Sequence, residues 1–243
     1  TGMNRLGFNA EGVLSAAKRL HEAGYQLILA THFANADDHD HPLNAMQIER
    51  FSSVLVTLKD TISPDIQGSL CNSAGIVNFP EHHYDWVRPG IILYGSSPVV
   101  DKSAQELDLQ PAMEFSAQII ALQTVSANDA IGYGSRWRAQ QDTRTALVSV
   151  GYGDGYPRVV TDDAYVIVMD ANDSQSYRCP VIGRVAMDMI VIDISSAPES
   201  LAIDSKVMLW GDAPRVDEVA GHAGTISYEL LCRLSIRPNR TQA

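Results

Sequence analysis

The 243-residue sequence predicts an α/β region over residues 1–108 and a mostly β region over residues 109–243. In the first region, short apolar runs alternate with segments whose apolar residues recur every three or four positions. That alternation is typical of strand–helix repeats around a parallel sheet. In the second region, strand-like runs follow one another with turn-forming residues between them, and the helical patterns are short. We therefore expect two separate domains.

The elements of the first region are predicted from the spacing of its apolar residues and from the glycine and proline residues that end or begin helices. One helix is predicted up to Gly24, a residue common at helix ends, and another from Pro42, a residue common at helix starts. The continuous apolar run from Leu27 to Ala30 is typical of a buried parallel strand. The predicted elements are helices over residues 10–24 and 42–59 and strands over residues 27–30, 69–71 and 91–94.

The second region contains five strand-like runs and two short helical patterns. Their apolar and β-branched residues are bounded by clusters of turn-forming residues, as expected for a β domain. The predicted strands cover residues 115–125, 145–150, 165–169, 187–194 and 206–210, the predicted helices cover residues 216–222 and 228–234, and one turn is predicted at residues 171–174.

The composition disfavours several functional classes. A formal net charge of −11 argues against nucleic acid and anionic membranes as partners. No apolar run approaches the ~18 residues that span a bilayer. The three cysteines are far apart and include no Cys-x-x-Cys pair, which favours reduced thiols in a cytoplasmic protein and gives no zinc site. The chain begins at Thr1 without a leader segment, and we expect it to be a fragment.

Residues 32–41 contain three histidines and three aspartates, a composition that suits a metal site. The spacing lacks the His-x-x-x-His pattern of a helical site, however, and most of these residues lie in a polar segment before Pro42. We therefore predict a solvated loop that caps the next helix, and no metal. His32 differs from the others because it follows an apolar strand, a position from which it can point into a cleft.

A tyrosine between glycines follows the apolar run that ends at Val150, in the segment Gly-Tyr-Gly-Asp-Gly of residues 151–155. Glycines let the backbone turn sharply and leave room for the phenol of Tyr152 to project. Two interpretations stay open on these residues alone: a tight turn with an exposed ring, and a phenol presented to a cleft. Neither this Gly-x-Gly nor the one at residues 132–134 precedes a convincing helix of a βαβ unit, which argues against a dinucleotide site.

Arg88 stands at the start of an apolar run, where an arginine either extends along the surface to pair with a carboxylate or serves a site. Residues 72–74 supply a hydroxyl and small side chains after an earlier strand, and Gly90 and Ile91 supply backbone N–H groups. In a barrel of parallel strands, the loops after the last strands commonly bind phosphate. These residues are therefore candidates for a phosphate site.

Together the motifs resemble the alanine racemase family, whose members use pyridoxal 5′-phosphate. The matching segments, in chain order, are TGMNRLG, THFANAD, NSA, WVRPGIILYG, GYG, GYGDGYPR, GRVAMD and YELL. The resemblance implies the C-terminal part of a (β/α)8 barrel, with its last three βα units in residues 1–108, and a complete C-terminal β domain in residues 109–243. It also implies a head-to-tail homodimer whose active sites are shared between subunits.

The resemblance also implies a role for each matching residue. Tyr152 matches a catalytic acid/base that reaches the partner subunit's cofactor. Arg88 matches the arginine that binds the pyridine nitrogen, and His32 matches the histidine that supports it. The other matches are the phosphate-binding residues Ser73, Gly90, Ile91 and Tyr228, and two groups near the substrate carboxylate, Arg5 and the backbone of Met187.

The implied activity is interconversion of L-alanine and D-alanine by two-base proton transfer, with a small amino acid as substrate and D-alanine supplied to peptidoglycan. The family's second base, a lysine that also holds the cofactor as a Schiff base, has no match among the four lysines of this chain. We therefore expect the chain to be inactive by itself. The alternative is a truncated, catalytically silent relative that serves as a structural or dimerisation module.

Overall fold

The computed structural model describes residues 1–170 and 175–242. The turn predicted at residues 171–174 lies outside the described residues. The chain divides into two compact units, Thr1–Leu109 and Gln110–Ala243, and each unit has its own hydrophobic core. Within the described ranges, no helix combines the length and the apolar character needed to cross a lipid bilayer.

The first unit alternates helices with short strands. In chain order its elements are α1 (Ala10–Glu22), β1 (Ile28–Ala30), α2 (Leu43–Thr61), β2 (Gln67–Ser69), α3 (Ser73–Asn78) and the 3₁₀ turns Pro80–His82 and Ile91–Tyr94. β1 and β2 pair in parallel, with Ile28 opposite Gln67 and Ala30 opposite Ser69. The predicted α/β character of this region is confirmed.

The core of the first unit is built around one face of α2. Phe51, Leu55 and Leu58 recur at helical spacing on that face and are buried. They belong to the same apolar cluster as Phe33, which follows β1, and Leu70, which follows β2. The core therefore anchors the carboxyl ends of both strands, which is where the candidate site residues of this unit lie.

The strand predicted at residues 91–94 is wrong, because Ile91–Tyr94 forms a single 3₁₀ turn. Leu93 N donates to Gly90 O at 3.0 Å and Gly95 N donates to Ile92 O at 3.1 Å, so the hydrogen bonds are local. Gly95 ends the turn with φ = 80°, a conformation that glycine adopts without strain. A run of four apolar residues is too short for its periodicity to distinguish a strand from a helical turn.

The second unit contains a closed six-stranded antiparallel barrel. Its elements are β3 (Phe115–Val125), β4 (Ala130–Ile131), the 3₁₀ turn Tyr133–Ser135, β5 (Trp137–Arg138), β6 (Thr143–Val148), β7 (Tyr165–Met169), β8 (Ser176–Ile182), β9 (Ile190–Asp193), β10 (Lys206–Trp210), α4 (Val216–His222) and α5 (Ser227–Arg233). The barrel order is β10-β3-β6-β9-β8-β7, and pairing of β10 with β7 closes it. Each barrel strand thus has a neighbour on both sides.

Sequence reasoning gives five of the eight strands described for this unit and misses β8 and the two-residue strands β4 and β5. The predicted bounds of β3, β7, β10 and α4 are confirmed, while β6 and α5 are shifted by one or two residues. β8 escapes the prediction because Pro180 lies within it and polar residues alternate with apolar ones, so it lacks a continuous apolar run. The strand predicted from Met187 begins only at Ile190, because Ala186 N donates to Met189 O at 3.0 Å and closes a turn.

Candidate active site

A cavity of about 1040 Å³ lies in the first unit. Arg5, His32 and Arg88, three of the residues expected to bind cofactor or substrate, line it together. They come from three segments that are far apart in the sequence, so the fold alone brings them to one site. Phe51 and Val54 of α2 supply part of the apolar wall. The cavity therefore combines fixed positive charge with apolar surface, which suits an anionic ligand that also has an apolar part.

The guanidinium group of Arg88 is held by oxygen atoms at the carboxyl ends of both strands. Nη1 donates to Ser69 O at 3.0 Å and to Ser69 Oγ at 2.5 Å, and Nη2 donates to Thr31 O at 2.6 Å. Burial lowers the pKa of Arg88, but a guanidinium stays protonated at neutral pH. Its Nε–H has no hydrogen-bond partner among the described residues, which leaves one donor of this fixed cation for a ligand.

The backbone around His32 is fixed by a buried side chain of α2, Gln47. Gln47 Nε2 donates to His32 O at 3.1 Å, and Gln47 Oε1 accepts from Ala34 N at 2.8 Å. Because Gln47 is fully buried, these bonds replace the water that its amide has lost. The His32 ring itself remains partly open to solvent, with Nε2 3.4 Å from Asn72 Nδ2.

The charges around His32 favour its neutral form. Burial lowers the pKa of the imidazole, and the positive charges of Arg88 and Arg5 lower it further. Among the described residues, Arg88 donates to strand-end oxygens and not to the imidazole. His32 and Arg88 are therefore linked here through a shared cavity and through electrostatics, and the support role of His32 stays a prediction.

Ser73 and Gly90 lie in direct contact. Gly90 N donates to Ser73 Oγ at 2.7 Å, and Ser73 is buried at the first position of α3. Since the hydroxyl oxygen accepts this bond, its own hydrogen remains free to donate to another acceptor. Ile91 is the first residue of the 3₁₀ turn, so its N–H has no acceptor within that turn. A β-strand at this place would instead have paired its N–H groups with a neighbouring strand.

The histidine- and aspartate-rich segment forms a loop held by an asparagine. Asn44 Nδ2 donates to Asp38 O at 2.8 Å and to Asn35 O at 3.2 Å, which closes the loop onto the start of α2. The ring of His39 stacks on Phe79 with a centroid separation of 5.3 Å. Across residues 1–170 and 175–242, no three His, Cys, Asp or Glu side chains converge in a way that could hold a metal ion.

In the second unit, residues 151–156 form a tight loop after β6, here called the tyrosine loop. A Cβ added to Gly151 would lie 2.3 Å from Ala186 O and from Met187 O, so only glycine fits. Gly155 has φ = 114°, and a Cβ there would lie 2.8 Å from Leu234 Cα. The glycines predicted to allow a sharp turn are therefore required by close backbone approach.

The tyrosine loop packs on residues 186–189, here called the methionine turn. Tyr152 N donates to Ala186 O at 3.1 Å, and Gly153 N donates to Met187 O at 2.8 Å. The side chains of Tyr152 and Met187 are both partly exposed, at 38% and 52%. The structure thus places the predicted acid/base beside the predicted carboxylate-binding backbone. Tyr228, the remaining predicted residue, lies on α5 of this unit and is 47% exposed.

Two family models match this chain. The alanine racemase N-terminal domain matches residues 1–98, and the alanine racemase C-terminal domain matches residues 112–242, which is more than half of the chain. The chain belongs to the alanine racemase family.

Individual members of the alanine racemase family are similar over nearly the whole chain. An alanine racemase from Psychrobacter sp. is 54% identical over 99% of this chain and 65% of its own length, and a biosynthetic alanine racemase from Pseudomonas aeruginosa is 42% identical over 99% and 64%. The chain thus spans less than two thirds of these curated relatives.

Solved alanine racemase structures are similar too. The enzyme from Acinetobacter baumannii has a TM-score of 0.87 at 48% identity, over 98% of this chain and 63% of that one. The enzyme from Bartonella henselae, described with covalently bound pyridoxal phosphate, has a TM-score of 0.82 at 27% identity, over 99% of this chain and 64% of that one.

This alanine racemase family member has four lysines. Lys18 lies on α1, Lys59 on α2 and Lys102 in an exposed segment. Lys206 is the first residue of β10, and its Nζ lies 2.7 Å from Glu114 Oε1. None of the four lysines lines the cavity that holds Arg88.

Sequence reasoning misses four side chains that organise the site. Gln47 interrupts the apolar face of α2 with a polar residue, and that interruption is a signal that could have been used. Asp154 and Asp188 lie within matching motifs, but nothing local indicates that they share a partner. Arg237 lies near the chain end with no motif around it, and only the structure shows that it contacts both aspartates.

Proposed function

We propose that this chain is the larger part of an alanine racemase, an isomerase that interconverts L-alanine and D-alanine. The reaction removes the proton on Cα from one face of the amino acid and returns one to the other face, so it needs two opposed proton-transfer groups. Membership of the family and the geometry of the site residues support this proposal.

One observation carries the proposal: two backbone hydrogen bonds hold the tyrosine loop against the methionine turn. In a racemase, the group that exchanges the Cα proton and the group that binds the carboxylate of the same substrate have to be neighbours. Tyr152 and Met187 meet that requirement. An exposed ring in an ordinary turn would not need this fixed neighbour.

Tyr152 is proposed to donate and accept a proton on one face of Cα. The backbone of Met187 and the guanidinium of Arg5 are proposed to hold the substrate carboxylate, so that the Cα–H bond points at the phenol. The second proton-transfer group would come from a segment outside this chain, because none of its lysines lines the cavity.

The residues of the first unit fit pyridoxal 5′-phosphate. When bound, this cofactor supplies a conjugated ring that stabilises negative charge at Cα. Arg88 offers its remaining Nε–H to the pyridine nitrogen, and because an arginine only donates, that nitrogen would stay unprotonated. Ser73 offers its free hydroxyl hydrogen to the phosphate, together with the N–H of Ile91. Tyr228 completes the proposed phosphate-binding set, and Gly90 contributes indirectly, because its N–H donates to Ser73 Oγ and orients that hydroxyl.

The finer architecture and setting are also proposals. Residues 1–108 would form a C-terminal part of a (β/α)8 barrel, which the parallel pairing of β1 and β2 supports. Residues 109–243 would form the C-terminal domain, and two copies would share their active sites in a homodimer. Three free cysteines support a cytoplasmic location, where thiols stay reduced. The D-alanine product would serve peptidoglycan synthesis.

The proposal is tested by reconstitution with the N-terminal segment of the Psychrobacter relative. We expect the co-expressed pair to be soluble, to bind pyridoxal phosphate and to produce D-alanine from L-alanine. Each piece alone serves as the control. A pair that binds pyridoxal phosphate without racemising alanine would favour the alternative, a catalytically silent module.

The chain alone provides a second test. Incubated with pyridoxal phosphate, it should give no stable absorbance band of a protonated Schiff base, and borohydride should not fix the cofactor at a single buried lysine, because no lysine lines the cavity of Arg88. Mass spectrometry of the digested chain is the measurement. An adduct mapped to a single buried lysine would show that this chain supplies its own Schiff-base group and would overturn the assignment of that group to another segment.

A further inference from the structure

One arginine of the second unit contacts both segments of the candidate site. Arg237 follows α5, and its Nε lies 3.1 Å from Asp154 Oδ1 while its Nη2 lies 2.7 Å from Asp188 Oδ1. Asp154 belongs to the tyrosine loop and Asp188 to the methionine turn. A single guanidinium group therefore bridges the two segments that carry Tyr152 and Met187.

The position of Asp154 is fixed from three sides. Its Oδ2 accepts a hydrogen bond from Gly151 N at 2.9 Å, and its backbone oxygen accepts one from Ser235 N at 3.1 Å. With the bond from Arg237, both carboxylate oxygens are occupied, and the side chain is only 13% exposed. A displacement of this carboxylate would therefore move Gly151, the residue before Tyr152.

The guanidinium group also lies against the backbone that follows Tyr152. A Cβ added to Gly153 would lie 2.2 Å from Arg237 Nη1 and 3.0 Å from Met187 O. Glycine at this position thus makes room for both the arginine and the methionine turn. The ion pairs, with Asp188 contributing most, raise the pKa of Arg237, so the bridge keeps its charge.

We propose that Arg237 is a positioning residue for Tyr152, because it holds the tyrosine loop against the methionine turn through Asp154 and Asp188. The inference rests on the proposed function, since the position of the phenol matters only if it exchanges a proton with the substrate. Two backbone hydrogen bonds already join the segments, and the arginine restrains the remaining freedom between them.

The chemistry of the bridge requires an arginine. A guanidinium presents donors on separate edges of a rigid plane, so it binds two carboxylates at fixed angles. A lysine ammonium is a point charge on a flexible stem and would hold one carboxylate at a time. Arg237→Met should therefore have the larger effect and Arg237→Lys a partial one.

The first arm of the test is amide hydrogen exchange on the 243-residue chain. In Arg237→Met, the amides of Tyr152 and Gly153 should exchange at least about 10-fold faster than in the parent, because the restraint on their loop is lost. Arg233→Met is the matched control, since the ion pair that Arg233 makes with Glu229 at 2.9 Å is exposed and does not involve Asp154 or Asp188. Unchanged exchange in Arg237→Met would overturn the proposal whether or not the chain racemises alanine.

The second arm uses the reconstituted enzyme and a double-mutant cycle. Arg237→Met should lower kcat for alanine by about 10- to 100-fold, as expected for a displaced catalytic group, while the KM changes by only a few-fold. In a Tyr152→Phe background, the same change should have little further effect, because both act through one phenol. Effects that multiply would overturn the proposal. A parent enzyme that fails to racemise alanine would refute the proposed function. The positioning role of Arg237 would then be tested by amide hydrogen exchange alone.

A milder variant tests the proposal if Arg237→Met fails to fold. Asp188→Asn removes one limb of the bridge at a carboxylate that is 53% exposed, so the barrel core is untouched. It should accelerate exchange at Gly153 less than Arg237→Met would, and it should lower kcat by a smaller factor. Parent-like exchange and parent-like kcat in Asp188→Asn would contradict the bridge.

Discussion

The two units of this chain differ in how completely the backbone N–H and C=O groups of their strands are paired within the unit. The barrel of the second unit closes on itself through the pairing of β10 with β7. The sheet of the first unit, over the described residues, consists of β1 and β2 with three residues each, and Ile28 on β1 is 52% exposed. A closed barrel needs no further strand, whereas an open two-stranded sheet does. We therefore expect the second unit to be stable by itself and the first to need a neighbour.

The units also differ in the chemistry they present. The first unit gathers Arg5, Arg88 and His32 around a cavity, which suits an anionic ligand. The second unit presents Tyr152 on a loop fixed by backbone contacts and by Arg237. Rigid placement of the proposed proton-transfer group fits the self-contained unit, since catalytic geometry has to be accurate to a fraction of an ångström.

The largest expected effect is the loss of folding in the isolated first unit. Residues 109–243 expressed alone should unfold cooperatively in urea, because the barrel and its core are complete. Residues 1–108 alone should be poorly ordered or should aggregate through the open sheet. Circular dichroism and size-exclusion chromatography are the measurements. A monomeric, cooperatively folding 1–108 fragment would remove the contrast between the units.

The second prediction concerns the phenol. In the reconstituted enzyme, Tyr152→Phe should reduce racemisation by about 10²–10⁴-fold, the usual contribution of a positioned general acid/base. Binding of pyridoxal phosphate, measured by absorbance, should stay nearly unchanged because Arg88 and Ser73 lie in the other unit. Tyr177→Phe on β8 is the matched control. If racemisation in Tyr152→Phe stayed within a few-fold of the parent in both directions, Tyr152 would be an ordinary turn residue.

A smaller effect is expected when one apolar side chain is shortened in each unit and the losses in free energy of unfolding are compared. Ile192→Ala on β9 removes a fully buried side chain from the barrel and should lower the free energy of unfolding by about 2–5 kcal/mol. Ile28→Ala on β1, at a half-exposed position, should cost about 0.5 kcal/mol or less. Urea unfolding followed by amide exchange in each unit gives both values. A large loss for Ile28→Ala would mean that another chain covers β1.

The smallest expected effects are in pH dependence, and they have opposite directions in the two units. Burial and the hydrogen bond to Glu218 raise the pKa of Tyr165 to about 12, so the fold favours the neutral phenol. The unfolded chain ionises this group near its ordinary value of about 10, and stability of the second unit should fall between pH 10 and 12. Tyr165→Phe should flatten that fall in urea titrations; an equally steep fall in the variant would contradict the assignment.

In the first unit the titrating group is His32, and the sign is reversed. Its pKa is lowered by burial and by the two arginines, so the folded unit disfavours the protonated ring. The unfolded chain takes up a proton below about pH 6.5, and stability should therefore fall as the pH drops through that range. His32→Gln should weaken this dependence in amide exchange of the first unit, and an unaltered acid response would assign it to another group.

Much of the fold could be predicted from local signals. The bounds of β3, β7, β10 and α4 follow from apolar runs and turn residues, because backbone preference and periodicity are encoded over a few neighbouring positions. Residues 91–94 show the limit of that reasoning. Their composition suits a strand, and the 3₁₀ turn is decided by the glycine at position 95 and by the absence of a neighbouring strand among the described residues.

The sequence by itself determined which residue types stand where: a tyrosine between glycines after a strand, an arginine before an apolar turn, and motifs of the alanine racemase family in order along the chain. Only the tertiary structure decided which of them meet. Closure of the barrel, the hold of Gln47 on the backbone of His32 and the bridge of Arg237 join residues far apart in the sequence. Such contacts depend on packing and on the pairing of buried polar groups, which local propensity does not encode.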